Sequence, residues 1–174
     1  MIPFILYVIF VYLIGGLCGA YYLMRWKTGE NLRDHGSGNL GATNAGRALG
    51  KSGFILTFLW DTLKGSAIVY GAQLLQYDVS RVWICAIAVV AGHIWPIQLQ
   101  FRGGKGAATL IGVLAVMDAG LLWPLLGVFL VSFVLIRRFG IAGVVAFLAL
   151  PVGVGLRGYP LLDILLSIAM TIIV

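Results

Sequence analysis

The sequence has too few charged residues for a soluble domain. Only 10% of its 174 residues are Asp, Glu, Lys or Arg, whereas 61% are hydrophobic, and the mean hydropathy is +1.03. Soluble domains carry about 25% charged residues. Strand-like alternation of polar and apolar residues is also lacking, and several apolar runs approach or reach the roughly 20 residues that cross a bilayer as a helix. The sequence therefore predicts an all-α, polytopic transmembrane helical bundle.

Cysteine and histidine are equally scarce, with two of each. Cys18 and Cys85 stand alone within apolar runs, a placement typical of packed small residues and not of a disulfide or metal pair. We therefore expect no metal site. No internal repeat is visible, which argues against an inverted-repeat transporter.

Lys and Arg outnumber Asp and Glu by 12 to 6, but the distribution of this excess indicates membrane topology and not nucleic-acid binding. Nine of the twelve basic residues fall in three connections, and Arg81 and Arg157 fall between these. The nine are Arg25, Lys27, Arg33, Arg47 and Lys51 in the first, Arg102 and Lys105 in the second, and Arg137 and Arg138 in the third. The positive-inside rule predicts that these three connections are cytoplasmic. The N-terminus and the turns at 76–81 and 157–160 are then predicted outside.

Apolar periodicity divides residues 1–174, taken as a single domain, into about seven membrane segments. The predicted helices cover residues 2–24, 54–75, 82–100, 107–117, 121–136, 140–156 and 161–174. The first lacks a basic flank and a cleavage-site pattern, so we expect a retained helix and not a signal peptide. The fourth has only 11 residues, too few to span a bilayer, which predicts a half-helix or re-entrant segment beside a polar cavity.

A glycine-rich, polar and basic segment, residues 36–47, follows the first predicted helix. Glycines let backbone N–H groups approach an anion, while hydroxyl, amide and guanidinium groups add hydrogen bonds. The spacing of its glycines matches the G-x-G-x-x-G fingerprint of dinucleotide-binding folds. The segment follows a membrane helix and not a strand, however, so a dinucleotide-binding fold is not supported. Composition alone fits an ordinary flexible loop equally well. The candidate anion ligands are Gly36, Ser37, Gly38, Asn39, Gly41, Thr43, Asn44 and Arg47.

A second glycine-and-cation segment, residues 101–106, leads into the short fourth helix. It offers Gly103, Gly104, Lys105 and Gly106 at a helix N-terminus, where unpaired N–H groups favour anions. The Walker A pattern is absent, so nucleotide hydrolysis is not indicated. The positive-inside rule explains the lysine of this segment but not its three glycines.

Three further polar residues lie within apolar segments. Asp61 and Lys64 are three residues apart on one helix face, so a structural ion pair and a substrate contact are about equally probable. His93 is a candidate substrate-binding residue, and a packing role is the alternative. His35 is interpreted as a solvated surface residue.

Three motifs in the first 109 residues resemble the bacterial acyl-phosphate:glycerol-3-phosphate acyltransferase family. They are G-S-G-N-x-G-A-T-N-x-x-R over 36–47, D-x-x-K-G over 61–65, and G-H-x-x-P-x-x-x-x-F-x-G-G-K-G-x-A-T over 92–109. The resemblance implies a multi-pass enzyme of the bacterial inner membrane with its active site facing the cytoplasm. Its reaction transfers a fatty acyl group from acyl phosphate to the sn-1 hydroxyl of glycerol 3-phosphate, the first acylation step of phospholipid synthesis. The implied partners are these two substrates and membrane lipids, with no nucleic acid and no cofactor.

The resemblance gives each candidate residue a role. Arg47 and Lys105 are predicted to bind phosphates and stabilise developing charge, while Ser37 and Asn39 position oxygens. We expect direct transfer without an acyl-Ser37 intermediate, because the donor is already activated. The remaining candidates are predicted to bind substrate: Gly36, Gly38, Gly41, Thr43, Asn44, Lys64, His93, Gly103, Gly104 and Gly106.

The chain departs from the family pattern at two places. Gly140 and Gly143 stand where the family's R-Y-x-S-L-x-S stretch has serines, and the sequence stops at Val174, where a cytoplasmic segment with His, Asn and Glu would begin. We therefore expect that this segment is lacking. These departures keep open the alternative of a catalytically weakened paralogue that binds lipid precursors. A phospho-polyol transporter is a second alternative, because it would use the same glycine-rich loops.

Overall fold

A computed structural model describes residues 3–174, and this part of the chain folds into nine α-helices with no strand among them. The helices are α1 (Phe4–Gly15), α2 (Gly19–Thr28), α3 (Ala42–Leu74), α4 (Val79–Ile94), α5 (Ala107–Met117), α6 (Leu122–Ile136), α7 (Phe139–Leu148), α8 (Leu150–Leu156) and α9 (Leu161–Ile173). The predicted all-α fold class is confirmed, and the short fourth predicted helix, 107–117, has the bounds of α5.

The first apolar run is not the single helix predicted over residues 2–24, of which residue 2 lies outside the described residues. It forms α1 and α2, which are bent by 42° at a break over residues 16–18. Because of the break, the carbonyl of Leu17 accepts no hydrogen bond from a backbone N–H of the helix. Two side chains of α3 donate to this carbonyl instead, Trp60 Nε1 at 2.9 Å and Lys64 Nζ at 3.2 Å. Non-helical backbone at membrane depth is stable only where such partners exist.

Helix α3 begins twelve residues before the predicted start at 54, so the second half of the glycine-rich segment is helical and not a loop. The helix is interrupted at Gly50, whose backbone φ of +74° favours glycine. Residues 42–49 thus form a separate two-turn piece at the start of α3. Asp61 and Lys64 lie in the longer part of α3, which follows the interruption at Gly50.

Small residues allow the closest helix contacts. Gly15 of α1 packs against Gly92 of α4, and Gly112 of α5 packs against the backbone of Thr62 of α3. Glycines at such positions let two helix backbones approach closely within a membrane.

Gly112→Ala is expected to lower the melting temperature of the purified protein, because the added Cβ would overlap the backbone carbonyl of Thr62. Overpacking of this kind costs about 1–3 kcal/mol. Gly127→Ala in α6 is the matched control, since its Cβ would meet no atom within 4 Å. Equal melting temperatures for the two variants would contradict the packing described here.

By length and apolar composition, three helical stretches of the described chain can cross a membrane, and a fourth is added if the bent pair α1 and α2 counts as one span. The predicted count of about seven segments and the outside N-terminus stay predictions.

At one end of the bundle, the predicted outer turns pack together. Ser80 Oγ donates to Asp163 at 2.7 Å, and Arg157 forms an ion pair with Asp118, which also accepts from the Tyr159 hydroxyl at 3.1 Å. Burial and the neighbouring Asp118 raise the pKa of Tyr159. The three basic connections meet at the opposite end.

Candidate active site

A cavity of about 570 Å³ opens where the three basic connections meet. Its polar and glycine lining consists of Ser37, Asn39, Gly41, Thr43, Asn44, Arg47, Asp61, His93, Lys105, Gly106, Gly140 and Gly143. Its apolar lining consists of Ala42, Phe54, Phe58, Ala107, Ala108, Ile111, Phe139, Val144, Phe147 and Val174. The polar and basic lining residues come mainly from the two glycine-rich segments, and the aromatic and aliphatic ones, which form an apolar wall, come mainly from helices α3, α5 and α7.

Asn44 holds the start of the first glycine-rich segment in place through hydrogen bonds of its side chain. Its Oδ1 accepts from the backbone N–H of Ser37 at 3.0 Å, and its Nδ2 donates to the carbonyl of His35 at 2.9 Å. Gly36 has a φ of +58°, and a Cβ there would overlap Asn44 Oδ1. Although Asn44 was predicted to contact substrate, its buried amide is thus occupied with holding the turn that presents Ser37.

The second glycine segment folds back onto the end of α4. The N–H of Gly103 donates to the carbonyl of Ile94 at 3.0 Å, and the N–H of Gly104 donates to the carbonyl of His93 at 3.0 Å. The carbonyl of Gly103 in turn accepts from Leu40 N at 3.4 Å, which joins the two glycine segments. A Cβ on Gly103 or Gly104 would overlap His93.

Arg33, which lies just before the first segment, also ties the two connections together, and the sequence analysis missed this role. Its guanidinium donates to the carbonyl of Arg102 in the second segment and to that of Leu99 just before it. No sequence pattern distinguishes Arg33 from the other basic residues of its connection, so this role could not be predicted.

Two helix N-termini face the cavity. Ala42 and Thr43 begin α3, and Ala107 and Ala108 begin α5 after Gly106 with a φ of +80°. First-turn N–H groups have no partner within their own helix, and the positive end of the helix dipole favours anions. Converging N-termini therefore make the polar lining of the cavity suited to phosphate.

Arg47 and Lys105 add two positive charges to this polar lining. Both line the cavity, both are exposed, and no ion pair within residues 3–174 involves either of them. Asp61 is the one carboxylate among the lining residues, and its charge is compensated by Lys64 at 2.8 Å. The site therefore has an excess of cationic groups available to a ligand.

Behind the cavity lies a buried polar network. Lys64 Nζ contacts Asp61 Oδ1 at 2.8 Å and His93 Nδ1 at 2.8 Å, while Asp61 Oδ1 also accepts from the backbone N–H of Gly19 at 3.3 Å. The structural ion pair considered in the sequence analysis is therefore present. Lys64 does not line the cavity, so the structure does not place it in contact with substrate.

The structure brings most predicted site residues together. Nine of them line the cavity: Ser37, Asn39, Gly41, Thr43, Asn44, Arg47, His93, Lys105 and Gly106. The remaining five lie outside that lining: Gly36, Gly38, Lys64, Gly103 and Gly104. Their individual roles stay predictions. His35 pairs with Glu30 at 2.8 Å, in keeping with its interpretation as a surface residue.

A helical membrane bundle with a phosphate-suited cavity bounded by an apolar wall defines an integral membrane protein that handles phosphorylated lipid precursors. Residues 5–174 match the family model described as glycerol-3-phosphate acyltransferase. Glycerol-3-phosphate acyltransferase 1 of Desulfitobacterium hafniense is 45% identical over 81% of this chain and 70% of its own length. The protein of the same name from Bacillus cereus is 38% identical over 93% and 89%.

A solved structure of PlsY, described as an integral membrane glycerol 3-phosphate acyltransferase in its glycerol 3-phosphate form, superposes with a TM-score of 0.88. It is 32% identical in sequence, and the match covers 98% of this chain and 85% of that one. A lysophosphatidic acid form of PlsY gives a TM-score of 0.84. The chain belongs to the glycerol-3-phosphate acyltransferase family, and it is an acyltransferase.

Proposed function

We propose that this protein transfers a fatty acyl group from acyl phosphate to the sn-1 hydroxyl of glycerol 3-phosphate, giving lysophosphatidate and inorganic phosphate. The reaction is the first acylation step of phospholipid synthesis and takes place at the cytoplasmic face of a bacterial inner membrane. The observation that carries the proposal is that one cavity is lined by Arg47, Lys105 and two helix N-termini together with an apolar wall.

Both substrates carry phosphate, so the polar lining must hold crowded negative charge. Arg47 and Lys105 neutralise it, and the first-turn N–H groups of α3 and α5 add fixed donors that need no reorganisation during the reaction. Ser37 and Asn39 hydrogen-bond substrate oxygens. Orientation of two bound reactants is itself a large source of acceleration.

The chemical step is a direct acyl transfer. The acceptor hydroxyl oxygen bonds to the acyl carbon, the bond between that carbon and the phosphate oxygen breaks, and the hydroxyl proton passes to the departing phosphate. Among the described residues, no side-chain base lies within hydrogen-bond distance of the Ser37 hydroxyl, which supports direct transfer over an acyl-serine intermediate.

The apolar wall accommodates the acyl chain. Phe54 and Phe58 of α3 stack with ring centroids 6.0 Å apart, and Ile111, Val144 and Phe147 continue the surface. Burial of a methylene in such surroundings contributes about 0.8 kcal/mol, so long chains are favoured as donors.

The test is acyl transfer by the purified protein in lipid nanodiscs, with a C16 acyl phosphate and radiolabelled glycerol 3-phosphate. We expect lysophosphatidate and inorganic phosphate in equal amounts, and no product from the matching acyl-CoA. The H-x-x-x-x-D pattern typical of acyl-CoA-dependent glycerolipid acyltransferases is absent at His35 and His93. Binding without turnover would select the weakened paralogue, and flux of glycerol 3-phosphate into proteoliposomes without transfer would select the transporter.

Gly140→Ser and Gly143→Ser are expected to raise kcat/KM for glycerol 3-phosphate by about two- to tenfold. Both positions line the cavity, and a Cβ at either would meet no atom within 4 Å, so each hydroxyl would enter free space. One added hydrogen bond contributes about 1 kcal/mol. Gly→Ala at the same positions is the control for the loss of glycine itself, and a gain equal to that of serine would contradict the hydroxyl explanation.

A further inference from the structure

Lys64 uses its whole hydrogen-bonding capacity within the protein. Its ammonium group contacts Asp61 Oδ1 at 2.8 Å, His93 Nδ1 at 2.8 Å and the Leu17 carbonyl at 3.2 Å. A lysine ammonium carries three donors and no acceptor, so three contacts satisfy it completely. The side chain is 6% exposed and cannot exchange these partners for water.

This arrangement decides which nitrogen of His93 carries the proton. Because Lys64 can only donate, Nδ1 of His93 must accept with its lone pair. The neutral imidazole then carries its proton on Nε2. Two other groups lie near the same Nδ1. Asp61 Oδ1 is 3.6 Å away, beyond hydrogen-bond distance, and the Cys18 thiol, a weak acceptor, is 3.8 Å away. Lys64 at 2.8 Å is therefore the hydrogen-bond partner of Nδ1.

The other nitrogen, Nε2, lies against the second glycine segment. Although His93 is only 3% exposed, it lines the cavity, and a Cβ on Gly104 would overlap Nε2. Among the described residues, no group is hydrogen-bonded to Nε2. Because His93 lines the cavity, a ligand oxygen there can accept a hydrogen bond from the Nε2–H.

We propose that Lys64 is a positioning residue that fixes His93 in the Nε2–H tautomer, and that this N–H donates to a phosphate oxygen of the bound substrate. This inference rests on the proposed function, because the accepting oxygen belongs to the substrate of that site. It also assigns His93 a role other than general base. The nitrogen that faces the cavity already holds a proton, and the other nitrogen is covered by an ammonium group.

The tautomer is tested directly by nitrogen NMR of histidine-labelled protein in nanodiscs. The chain has two histidines, so His35→Gln leaves His93 as the one labelled residue. At pH 7.5 we expect a protonated Nε2 and an unprotonated Nδ1. An Nδ1–H tautomer or a doubly protonated ring would overturn the proposal, and this measurement requires neither turnover nor a variant of Lys64.

The donor role is tested by adding glycerol 3-phosphate to the same sample, with glycerol as the control ligand. We expect glycerol 3-phosphate, and not glycerol, to shift the Nε2–H signal. An unchanged Nε2–H signal at saturating glycerol 3-phosphate would overturn the donor role. Absence of acyl transfer together with a shifted signal would instead reject the proposed function and leave the site intact.

Kinetics separates positioning from a merely structural role. We expect Lys64→Met to raise KM for glycerol 3-phosphate about tenfold in the wild-type background. In a His93→Gln background the same change should raise KM less than twofold, because the glutamine Nε2 is always a donor and has no tautomer to fix. Equal effects in both backgrounds would show that Lys64 acts only through stability.

Discussion

Arg47→Ala and Lys105→Ala are each expected to lower kcat/KM for acyl transfer by about 100- to 1000-fold. Each change removes a charged donor from the lining of the cavity, where the proposed reaction would develop charge as the acyl–phosphate bond breaks. Removal of one preorganised donor to developing charge typically costs this much. The measurement is initial rate against glycerol 3-phosphate concentration at saturating acyl phosphate, with the proteins in identical nanodiscs.

Two exposed cations close in sequence serve as matched controls. Lys51 follows Arg47 on α3 and Arg102 precedes Lys105, but neither lines the cavity. Alanine at these two positions should change kcat/KM by less than threefold. A comparable loss in the controls would show that general surface charge, and not the cavity, controls the rate, and unimpaired Arg47→Ala and Lys105→Ala variants would reject the proposed site.

Asp61→Ala is expected to lower the free energy of unfolding by about 3–5 kcal/mol, the range for removing one partner of a buried ion pair. The loss leaves the Lys64 ammonium without its counter-charge and the Gly19 N–H without its acceptor, with both Asp61 and Lys64 almost completely buried. The measurement is denaturant unfolding in bicelles, followed by tryptophan fluorescence.

The double variant Asp61→Ala/Lys64→Met is the control for this interpretation. It removes both charges, so we expect it to recover part of the stability that Asp61→Ala loses, even though acyl transfer stays impaired. A double variant less stable than Asp61→Ala would show that Lys64 stabilises the fold mainly through Leu17 and His93.

The bounds of a helix could be predicted from the sequence where a polar residue or a glycine interrupts an apolar run. Gly106 and Asp118 flank α5, and both of its ends were predicted correctly. The break between α1 and α2 has no such marker, because residues 16–18 are as apolar as their neighbours. What makes the break stable comes from α3, through Trp60 and Lys64, which are more than forty residues away in sequence.

In the site too, features with a local sequence pattern could be predicted, and contacts between residues distant in sequence could not. Charge and glycine content indicated that Arg47 and Lys105 belong to anion-binding segments, and the structure places both at one cavity. Spacing on one helix also suggested the pair of Asp61 and Lys64. That spacing could not reveal that His93, from another helix, also contacts Lys64. A contact between two helices produces no periodic pattern in a single sequence.

The combination of polar and apolar lining in one cavity has a consequence for how the product departs. In the proposed reaction, a product with its phosphate head beside Lys105 would place its chain along Phe58 and Phe147. Departure along that apolar surface would keep the tail out of water, whereas the small inorganic phosphate ion would return to the aqueous phase. Product escape should therefore depend on bilayer fluidity, and no soluble carrier is required to extract the lipid.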